Sequence, residues 1–167
     1  RAVEASSPRL ASRNQGLRLE LPREPIVLNG DPVRLAQVLS NLINNASKFS
    51  GPHTSITLGA SYADGEVKIS IKDEGDGIDP AFLPHIFELF AQADQSLDRS
   101  QGGLGIGLTL VKHLVELHGG RVWAASEGLG KGAEVTIALP AHVGTQPAQP
   151  LPPVAHRPVG VPVGASR

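Results

Sequence analysis

Two segments of the chain carry apolar residues at helical spacing and predict two long amphipathic helices. The first covers residues 30–50, where Asp31 is placed to cap the amino end and Pro32 suits the first turn. The second covers Leu104–His118 and is stopped by a pair of glycines. The apolar stripe of the first helix consists of Leu35, Val38, Leu39, Leu42, Ala46 and Phe49.

Strict alternation of apolar and polar residues predicts several strands. In the first of them, Leu17, Leu19 and Leu21 share one face. The pair Asp64-Gly65 between two later strands is typical of a tight hairpin turn. The predicted strands are residues 16–22, 26–28, 56–62, 66–72, 121–126 and 133–140.

Prolines and polar runs interrupt these patterns. The first dozen residues have a weak helical pattern that Pro8 breaks, and residues 81–90 predict a short helix and loop limited by Pro84. Residues 91–103 are polar, lack periodicity and are typical of a mobile loop.

These elements predict one domain with tails. Residues 1–14 are interpreted as the remnant of a preceding segment and residues 15–141 as the domain. Residues 142–167 contain six of the chain's 14 prolines and almost no charge, which is typical of an extended linker. Strands on one side and two or three helices on the other predict an α+β two-layer sandwich.

Composition narrows the possible function. The 167 residues have a net charge of −1 with acids and bases interspersed, so no basic surface for nucleic acid is indicated. Cysteine is absent, which excludes disulfides and thiolate sites. No apolar run is long enough for a membrane span and no signal-peptide pattern opens the chain. We predict a cytoplasmic location for this part of the protein and leave open whether the parent protein is anchored to a membrane. Methionine is also absent, and we expect a piece of a larger protein.

Three polar side chains of the first helix lie in one narrow sector beside its apolar stripe: Asn41, Asn45 and Lys48. Asn44 points elsewhere. Amide oxygens can ligate Mg²⁺, and a lysine can meet a phosphate as a point charge. The alternative interpretation of these three residues is a polar border of the helix that faces solvent.

The stretch Asp73-Glu-Gly-Asp-Gly-Ile78 follows a strand directly. A carboxylate at a buried strand end can accept a hydrogen bond from an exocyclic amine such as that of adenine. Gly75 and Gly77 allow a ring or a backbone to pass close by. An ordinary surface turn is the alternative, whereas the calcium loop of an EF-hand is excluded by the missing glutamate and flanking helices.

Four glycines precede or open the second helix: Gly102, Gly103, Gly105 and Gly107. Each glycine inside a helix costs up to ~1 kcal/mol relative to alanine, so we expect a tight bend or a close approach to the backbone. Free N–H groups at a helix amino end can bind a phosphate. Arg99 is placed to contact outer phosphates or simply to face solvent. Neither a GxGxxG spacing nor a P-loop ending is present.

Together the three segments predict a nucleotide site, and their order resembles a known family. NLINNASKF resembles the N box, DEGDGI the G1 box, FELF the F box and GGLGIGL the G2 box of the catalytic ATP-binding domain of bacterial sensor histidine kinases. GKGAEVTIALP resembles the closing strand, so the resemblance covers residues 15–141. The wider family includes gyrase, the Hsp90 chaperone and MutL. It implies the Bergerat fold, a mixed, mostly antiparallel sheet under about three helices, with ATP and Mg²⁺ between the N-box helix and a lid.

By position, the resemblance implies Asn45 as the Mg²⁺ ligand and Asp73 as the acceptor of the adenine amine. It implies catalytic roles near the phosphates for Asn41, Lys48 and, in the lid, Arg99. The implied nucleotide-binding residues are Asn41, Asn45, Lys48, Phe49, Asp73, Gly75, Gly77, Ile78, Phe90, Arg99, Gly103, Leu104, Gly105, Gly107 and Leu108.

Two further positions matter in the resemblance. Phe87 and Phe90 are implied as anchors of the lid. Ala133 stands where the family often has serine or threonine, so this chain departs from the pattern there.

The type of reaction is indicated by Asn41. ATPases and serine kinases of this superfamily resemble each other in having a glutamate four residues before the metal-binding asparagine, and an amide is not a general base. A neutral imidazole already has a lone pair and needs no base. Phosphoryl transfer to histidine is therefore favoured, with catalysis by positioning and charge neutralisation. A hydrolase, a serine kinase of the anti-sigma type and a nucleotide-sensing interaction module remain as alternatives.

None of the six histidines of the chain lies in the H-E/D-x-x-x-P setting of a phosphoacceptor. His118 lies at a helix carboxyl end, where a positive charge suits the helix dipole, and His113 is expected on the exposed side of that helix. The resemblance therefore implies that the acceptor belongs to a separate dimerisation domain of the same parent protein. It also implies a response regulator or receiver domain as partner, and a monomeric fragment.

Overall fold

The described part of the chain contains one five-stranded sheet, three α-helices and a short 3-10 turn. The structure, a computed structural model, describes residues 1–89 and 106–141. The predicted polar loop and proline-rich linker lie outside these residues. A 3-10 turn covers Leu83–His85. The helices and strands are α1 (Ala2–Ser12), β1 (Gly16–Glu20), α2 (Pro32–Phe49), β2 (Ser55–Ala63), β3 (Glu66–Lys72), α3 (Gly107–Leu117), β4 (Arg121–Ala125) and β5 (Glu134–Pro140).

The five strands form one sheet in the order β1-β2-β3-β5-β4. β1 pairs with β2 in parallel, and the other three pairings are antiparallel. The hairpin between β2 and β3 turns at Asp64 and Gly65, whose φ angles are 53° and 77°. Two successive positive φ angles are what a two-residue hairpin turn requires, so the predicted turn is confirmed.

The core lies between one face of the sheet and the helices. α2 and α3 pack against each other and against the inward side chains of the central strands. The predicted two-layer α+β sandwich with a mixed, mostly antiparallel sheet is therefore confirmed. The most deeply buried large side chains are Leu42, Ile43, Ile56, Ile71, Ile137, Val38, Val67, Val111 and Val115.

α1 is one continuous helix with Pro8 inside it, so the predicted break at Pro8 is wrong. Proline removes one helical hydrogen bond, yet α1 buries Ala2, Ser6 and Leu10 and packs against α2. Packing compensates for the weak local propensity. Residues 1–14 thus contact the domain, and their origin in a preceding segment stays a prediction.

Residues 26–28 form no strand, contrary to the prediction. Pro22 and Pro25 precede this stretch, and Pro25 has no N–H to donate to a strand partner. Leu28 instead packs against the core from a segment without regular structure. The apolar residues of this stretch therefore indicate packing against the core and not hydrogen-bonded pairing with another strand.

The amino end of α2 is capped as predicted. Asp31 Oδ1 accepts hydrogen bonds from the backbone N–H groups of Arg34 (3.1 Å) and Val33 (2.8 Å), and these bonds lower the pKa of that carboxyl. At the other end Phe49 is 44% exposed, so it does not complete the predicted buried stripe. It is the last residue of the helix, whereas Ile43, omitted from the prediction, is fully buried.

His118 joins the end of α3 to the beginning of α2. Its Nε2 accepts a hydrogen bond from the backbone N–H of Asp31 at 3.1 Å, and its Nδ1 lies 2.7 Å from Leu114 O. A neutral ring with its proton on Nδ1 satisfies both contacts, so the predicted benefit of a positive charge is not what this geometry uses. His113 is exposed, and Gly119 with a φ of 72° ends the helix.

Gln15 caps the carboxyl end of α2 from a distance in sequence. Its buried amide Nε2 donates to the carbonyl oxygens of Ser47 (3.1 Å), Ser50 (3.2 Å) and Gly51 (2.9 Å). Ser47 Oγ donates to Gln15 Oε1 at 2.6 Å. The last carbonyls of a helix have no partner within it, so one side chain here supplies what the helix lacks.

We expect the substitution Gln15→Met to lower the free energy of unfolding by about 1–3 kcal/mol, because it keeps the volume but leaves buried carbonyls unpaired. The measurement is chemical denaturation. The control Gln37→Met, on the outer part of α2, should change stability by less than about 0.5 kcal/mol. Equal effects of the two substitutions would contradict this role of Gln15.

None of the helices in residues 1–89 and 106–141 combines the length and apolar character needed to cross a membrane.

Candidate nucleotide site

The candidate site is built around Asp73, which follows the last residue of β3. Its backbone N–H donates to Ala133 O at 2.9 Å, which extends the pairing of β3 with β5 by one step. Its Oδ1 accepts hydrogen bonds from the N–H groups of Gly75 (2.9 Å) and Ala133 (3.3 Å). Ala133 therefore contacts Asp73 through its backbone N–H and carbonyl groups. These contacts do not depend on the side-chain hydroxyl that the family often has at this position. Asp73 is 8% exposed.

Burial raises the pKa of the Asp73 carboxyl above its ordinary value, because removal from water disfavours the charged form. The hydrogen bonds from Gly75 and Ala133 oppose this shift, and the nearby charge of Asp76 adds to it. Within the described residues, the hydrogen bonds to the carboxylate end on Oδ1. Among residues 1–89 and 106–141, Oδ2 has no hydrogen-bond donor.

Glycines beside Asp73 allow backbone segments to approach closely. A Cβ on Gly75 would collide with the carbonyl oxygen of Phe49, and one on Gly77 with that of Gly128. A Cβ on Gly132 would collide with Asp73 O. The predicted close approach of another backbone segment to Gly75 and Gly77 is confirmed. The similar approach of Asp73 O to Gly132 was not predicted from the sequence.

Two loops are joined by hydrogen bonds at this point: residues 73–78, the acidic loop, and residues 126–133, the glycine loop. Gly130 N donates to Asp76 O at 2.7 Å, and Gly132 N donates to Gly75 O at 3.1 Å. The two loops form one rigid wall because backbone groups of each satisfy the other.

Ser126 adds a side-chain link between the same loops. Its Oγ accepts from Ile78 N at 3.0 Å and donates to Gly132 O at 2.7 Å. No local sequence pattern identifies this serine, since its partners are 48 and 6 residues away. Ile78, a predicted nucleotide contact, is half-buried beside it.

The carboxyl-terminal half of α2 forms a second wall. Asn41, Asn45 and Lys48 are half-buried and lie on one helical sector, as predicted. Lys48 Nζ lies 4.9 Å from the centre of the Phe49 ring, which is a cation–π distance. Asp76 N donates to Phe49 O at 2.9 Å, so this end of α2 is attached to the acidic loop.

The amino end of α3 forms the third side. Gly107 is its first residue, is exposed, and has no atom within 4 Å of the position of a Cβ. Leu108 is half-buried and packs against the core. Thr109 Oγ1 donates to Glu88 O at 3.0 Å and so connects the two segments that flank residues 90–105.

Phe87 is half-buried against the core. The remaining predicted contacts lie outside the described residues: Phe90, Arg99, Gly103, Leu104 and Gly105. Their roles stay predictions from the sequence.

The arrangement thus combines a buried acceptor, amide and ammonium groups, and a helix amino end. Such a combination suits a ligand with a hydrogen-bonding ring at one end and anionic groups at the other. Among the residues that the structure describes, no three His, Cys, Asp or Glu side chains are grouped to hold a metal ion.

Comparisons with known proteins agree with this geometry. The family model described as "Histidine kinase-, DNA gyrase B-, and HSP90-like ATPase" matches residues 30–143. The adaptive-response sensory kinase SasA of Synechococcus elongatus is 39% identical over 87% of this chain and 37% of its own length. The circadian input-output histidine kinase CikA of the same species is 36% identical over 86% of this chain and 19% of its own length.

Among solved structures, full-length ShkA in complex with AMPPNP aligns with a TM-score of 0.75 at 32% identity, covering 88% of this chain and 30% of that one. The chain therefore spans about a third or less of these relatives. The fold and the family implied by the sequence motifs are both confirmed. The chain belongs to the histidine kinase-, DNA gyrase B- and HSP90-like ATPase family, as a catalytic domain of the sensor histidine kinase type.

Proposed function

We propose that this domain binds ATP with Mg²⁺ and transfers the γ-phosphoryl group to a histidine on a separate dimerisation domain. The observation that carries the proposal is the buried carboxylate of Asp73, fixed by two backbone N–H groups on one oxygen. The AMPPNP complex of ShkA supports the assignment of the ligand.

Asp73 selects adenine in this proposal. The rigid backbone contacts at Oδ1 hold Oδ2 in place to accept the exocyclic amine of the base. Burial excludes water from the carboxylate, which makes an unfilled acceptor costly and favours a ligand that offers a donor there. The acidic and glycine loops supply a wall of bare backbone along which a flat ring fits.

Asn45 would hold Mg²⁺ through its amide oxygen, since neutral oxygens beside a phosphate complete the ligand shell that this ion prefers. The ion, when bound, supplies neutralisation of charge on the β- and γ-phosphates. Asn41 and Lys48 lie on the same sector of α2 and would position the phosphates. Arg99 and the glycines before α3 would complete the phosphate site.

The acceptor in this proposal is an imidazole nitrogen of the partner domain. Its lone pair attacks the γ-phosphorus, a nitrogen–phosphorus bond forms, and the bond to the bridging oxygen breaks, so that ADP leaves with the electron pair. Asn41 stands where a general base would be needed for water or a hydroxyl. An amide does not take a proton at neutral pH, so hydrolysis is disfavoured.

The partners follow from this chemistry. The dimerisation domain of the parent protein would donate the histidine, and a response regulator or receiver domain would accept the phosphoryl group from it. Residues 15–141 would be the catalytic unit and residues 142–167 a linker. Dependence on ATP and on a response regulator is consistent with a cytoplasmic location.

The test combines this chain, radiolabelled ATP, Mg²⁺ and the purified dimerisation domain of the parent protein. We expect label on the dimerisation domain alone, lost in acid and retained in alkali, as for phosphohistidine. Steady release of phosphate without that domain would indicate a hydrolase. Acid-stable label on a partner would indicate a serine kinase. Either of these results would overturn the proposed reaction.

A further inference from the structure

The face of the sheet that the helices do not cover contains a groove of about 390 Å³. A row of residues that are paired with one another on adjacent strands runs along the groove from β4 to β1, with one residue from each strand. The row consists of Trp123, Thr136, Ser70, Gly59 and Glu20. Neighbouring residues along the strands, such as Ile71 and Ile137, point into the core.

The middle of this row forms the floor of the groove because its side chains are small. Gly59 has none, and a Cβ there would lie 3.2 Å from Ser70 Oγ. Trp123 forms one end of the groove and is 37% exposed. A large aromatic ring beside a floor of small residues is the shape that extended, proline-containing segments use for docking.

The Trp123 ring is held by its neighbour Arg121. The Arg121 guanidinium lies 5.7 Å from the ring and donates through Nη2 to Glu66 Oε2 at 2.8 Å. The arginine side chain crosses β5 to reach Glu66 on β3, and Ala138 beneath it is 1% exposed. The aromatic surface is therefore preorganised, which lowers the entropy cost of binding.

We propose that the groove is the docking site of residues Pro147–Pro153 of this same chain. This stretch, PAQPLPP, contains two P-x-x-P patterns. Such sequences favour the polyproline II conformation and bind aromatic-lined grooves with little loss of entropy.

The exit of the chain from β5 places this segment within reach. Ala141 N donates to Gly65 O at 2.8 Å, so the chain leaves the sheet beside the β2–β3 hairpin. Thr136 lies five residues back from Ala141 along β5, a distance of ~17 Å. Five residues separate Ala141 from Pro147, and the six Cα-to-Cα steps between them can span ~20 Å when extended. The linking residues are therefore long enough to reach Trp123 on the adjacent strand.

The length of the segment also matches the width of the sheet. Five strands at a spacing of ~4.8 Å extend over ~19 Å, and residues 147–153 in polyproline II extend over ~19 Å. The tail contains Arg157 but no acidic residue, and the far end of the groove is formed by Glu20. Glu134, near Trp123, and Lys68 also line the groove, so charge alone sets no direction. The short reach from Ala141 places Pro147 at the Trp123 end.

Trp123 is the single tryptophan of the chain, so its fluorescence reports on the groove directly. The test compares acrylamide quenching of the full chain with that of a variant carrying Pro147→Ser, Pro150→Ser, Pro152→Ser and Pro153→Ser. We expect the quenching constant to rise at least twofold in the variant, and a synthetic peptide of residues 145–154 to lower it again.

The matched control is Pro158→Ser with Pro162→Ser, which should leave quenching unchanged; circular dichroism checks that all three proteins are folded alike. Equal quenching of the wild type and the fourfold variant would overturn the proposal. So would protection of Trp123 that disappears on dilution, since a second copy of the chain would then occupy the groove.

Discussion

The substitution Asp73→Asn is expected to weaken ATP binding by roughly 10- to 150-fold, the loss of one hydrogen bond to a charged group. Asparagine keeps an oxygen for the N–H groups of Gly75 and Ala133 but replaces the second oxygen by an amide N–H₂ group. Two donors would then face each other where adenine binds. Calorimetric titration of the full chain with ATP and Mg²⁺ measures the effect.

The same substitution should not weaken the fold. The raised pKa of Asp73 means that the folded state binds its proton more tightly than the unfolded state. This contribution to stability is complete below about pH 4 and is lost as the pH rises through the folded-state pKa. Asparagine lacks this dependence, so thermal denaturation should show the variant gaining stability relative to wild type as the pH rises.

The control for both measurements is Asp76→Asn, which removes an exposed charge from the same loop. We expect ATP affinity to change by less than threefold in this variant, because surface charges act weakly through solvent. Unchanged affinity in Asp73→Asn would remove the basis for the adenine assignment. A loss of affinity accompanied by unfolding would instead mean that the carboxylate is structural.

The second large effect is expected for Gly77→Ala, with Gly65→Ala as its matched control. The two glycines have φ angles of 70° and 77°, so alanine meets similar backbone strain at both. Gly65 has open space around it, whereas a Cβ on Gly77 collides with Gly128 O. We expect a loss of about 1 kcal/mol of unfolding free energy at Gly65 and about 2–4 kcal/mol at Gly77.

Urea denaturation of the two variants measures the difference. ATP affinity should also fall at Gly77, because the acidic loop must move away from the glycine loop to relieve the collision. Gly65 lies in the β2–β3 turn and should leave ATP affinity unchanged. Equal losses of unfolding free energy at Gly65 and Gly77 would show that the acidic loop and the glycine loop can separate without an energetic cost.

Local chemistry made most of the fold predictable. The cap by Asp31 and the turn at Asp64-Gly65 depend on neighbours in sequence, and both were correct. The errors at Pro8 and at residues 26–28 concern segments whose conformation is decided by packing. α1 is helical because it packs against α2, and Leu28 is half-buried against the core without a strand partner.

The candidate site divides in the same way. Asp73, Gly75 and Gly77 were identified because the motif is continuous and follows a strand. Ser126 and Gly132 were missed as part of the wall, since their role depends on two loops separated by about 50 residues meeting in space. Gln15 has no local signature either, because it acts on a helix that ends more than 30 residues later.

The contact between His118 and Asp31 lies at the end of the helix pair that is remote from Gly107 and Asn45. The two helices are therefore joined where α2 begins and α3 ends, and their opposite end carries the residues that we propose to bind the phosphates. α3 has 11 residues, a length of ~16 Å, so a tilt of ~4° about the imidazole displaces Gly107 by ~1 Å. A substitution of His118 would thus change the spacing between α2 and α3 near Gly107 and Asn45 without any contact to those two residues.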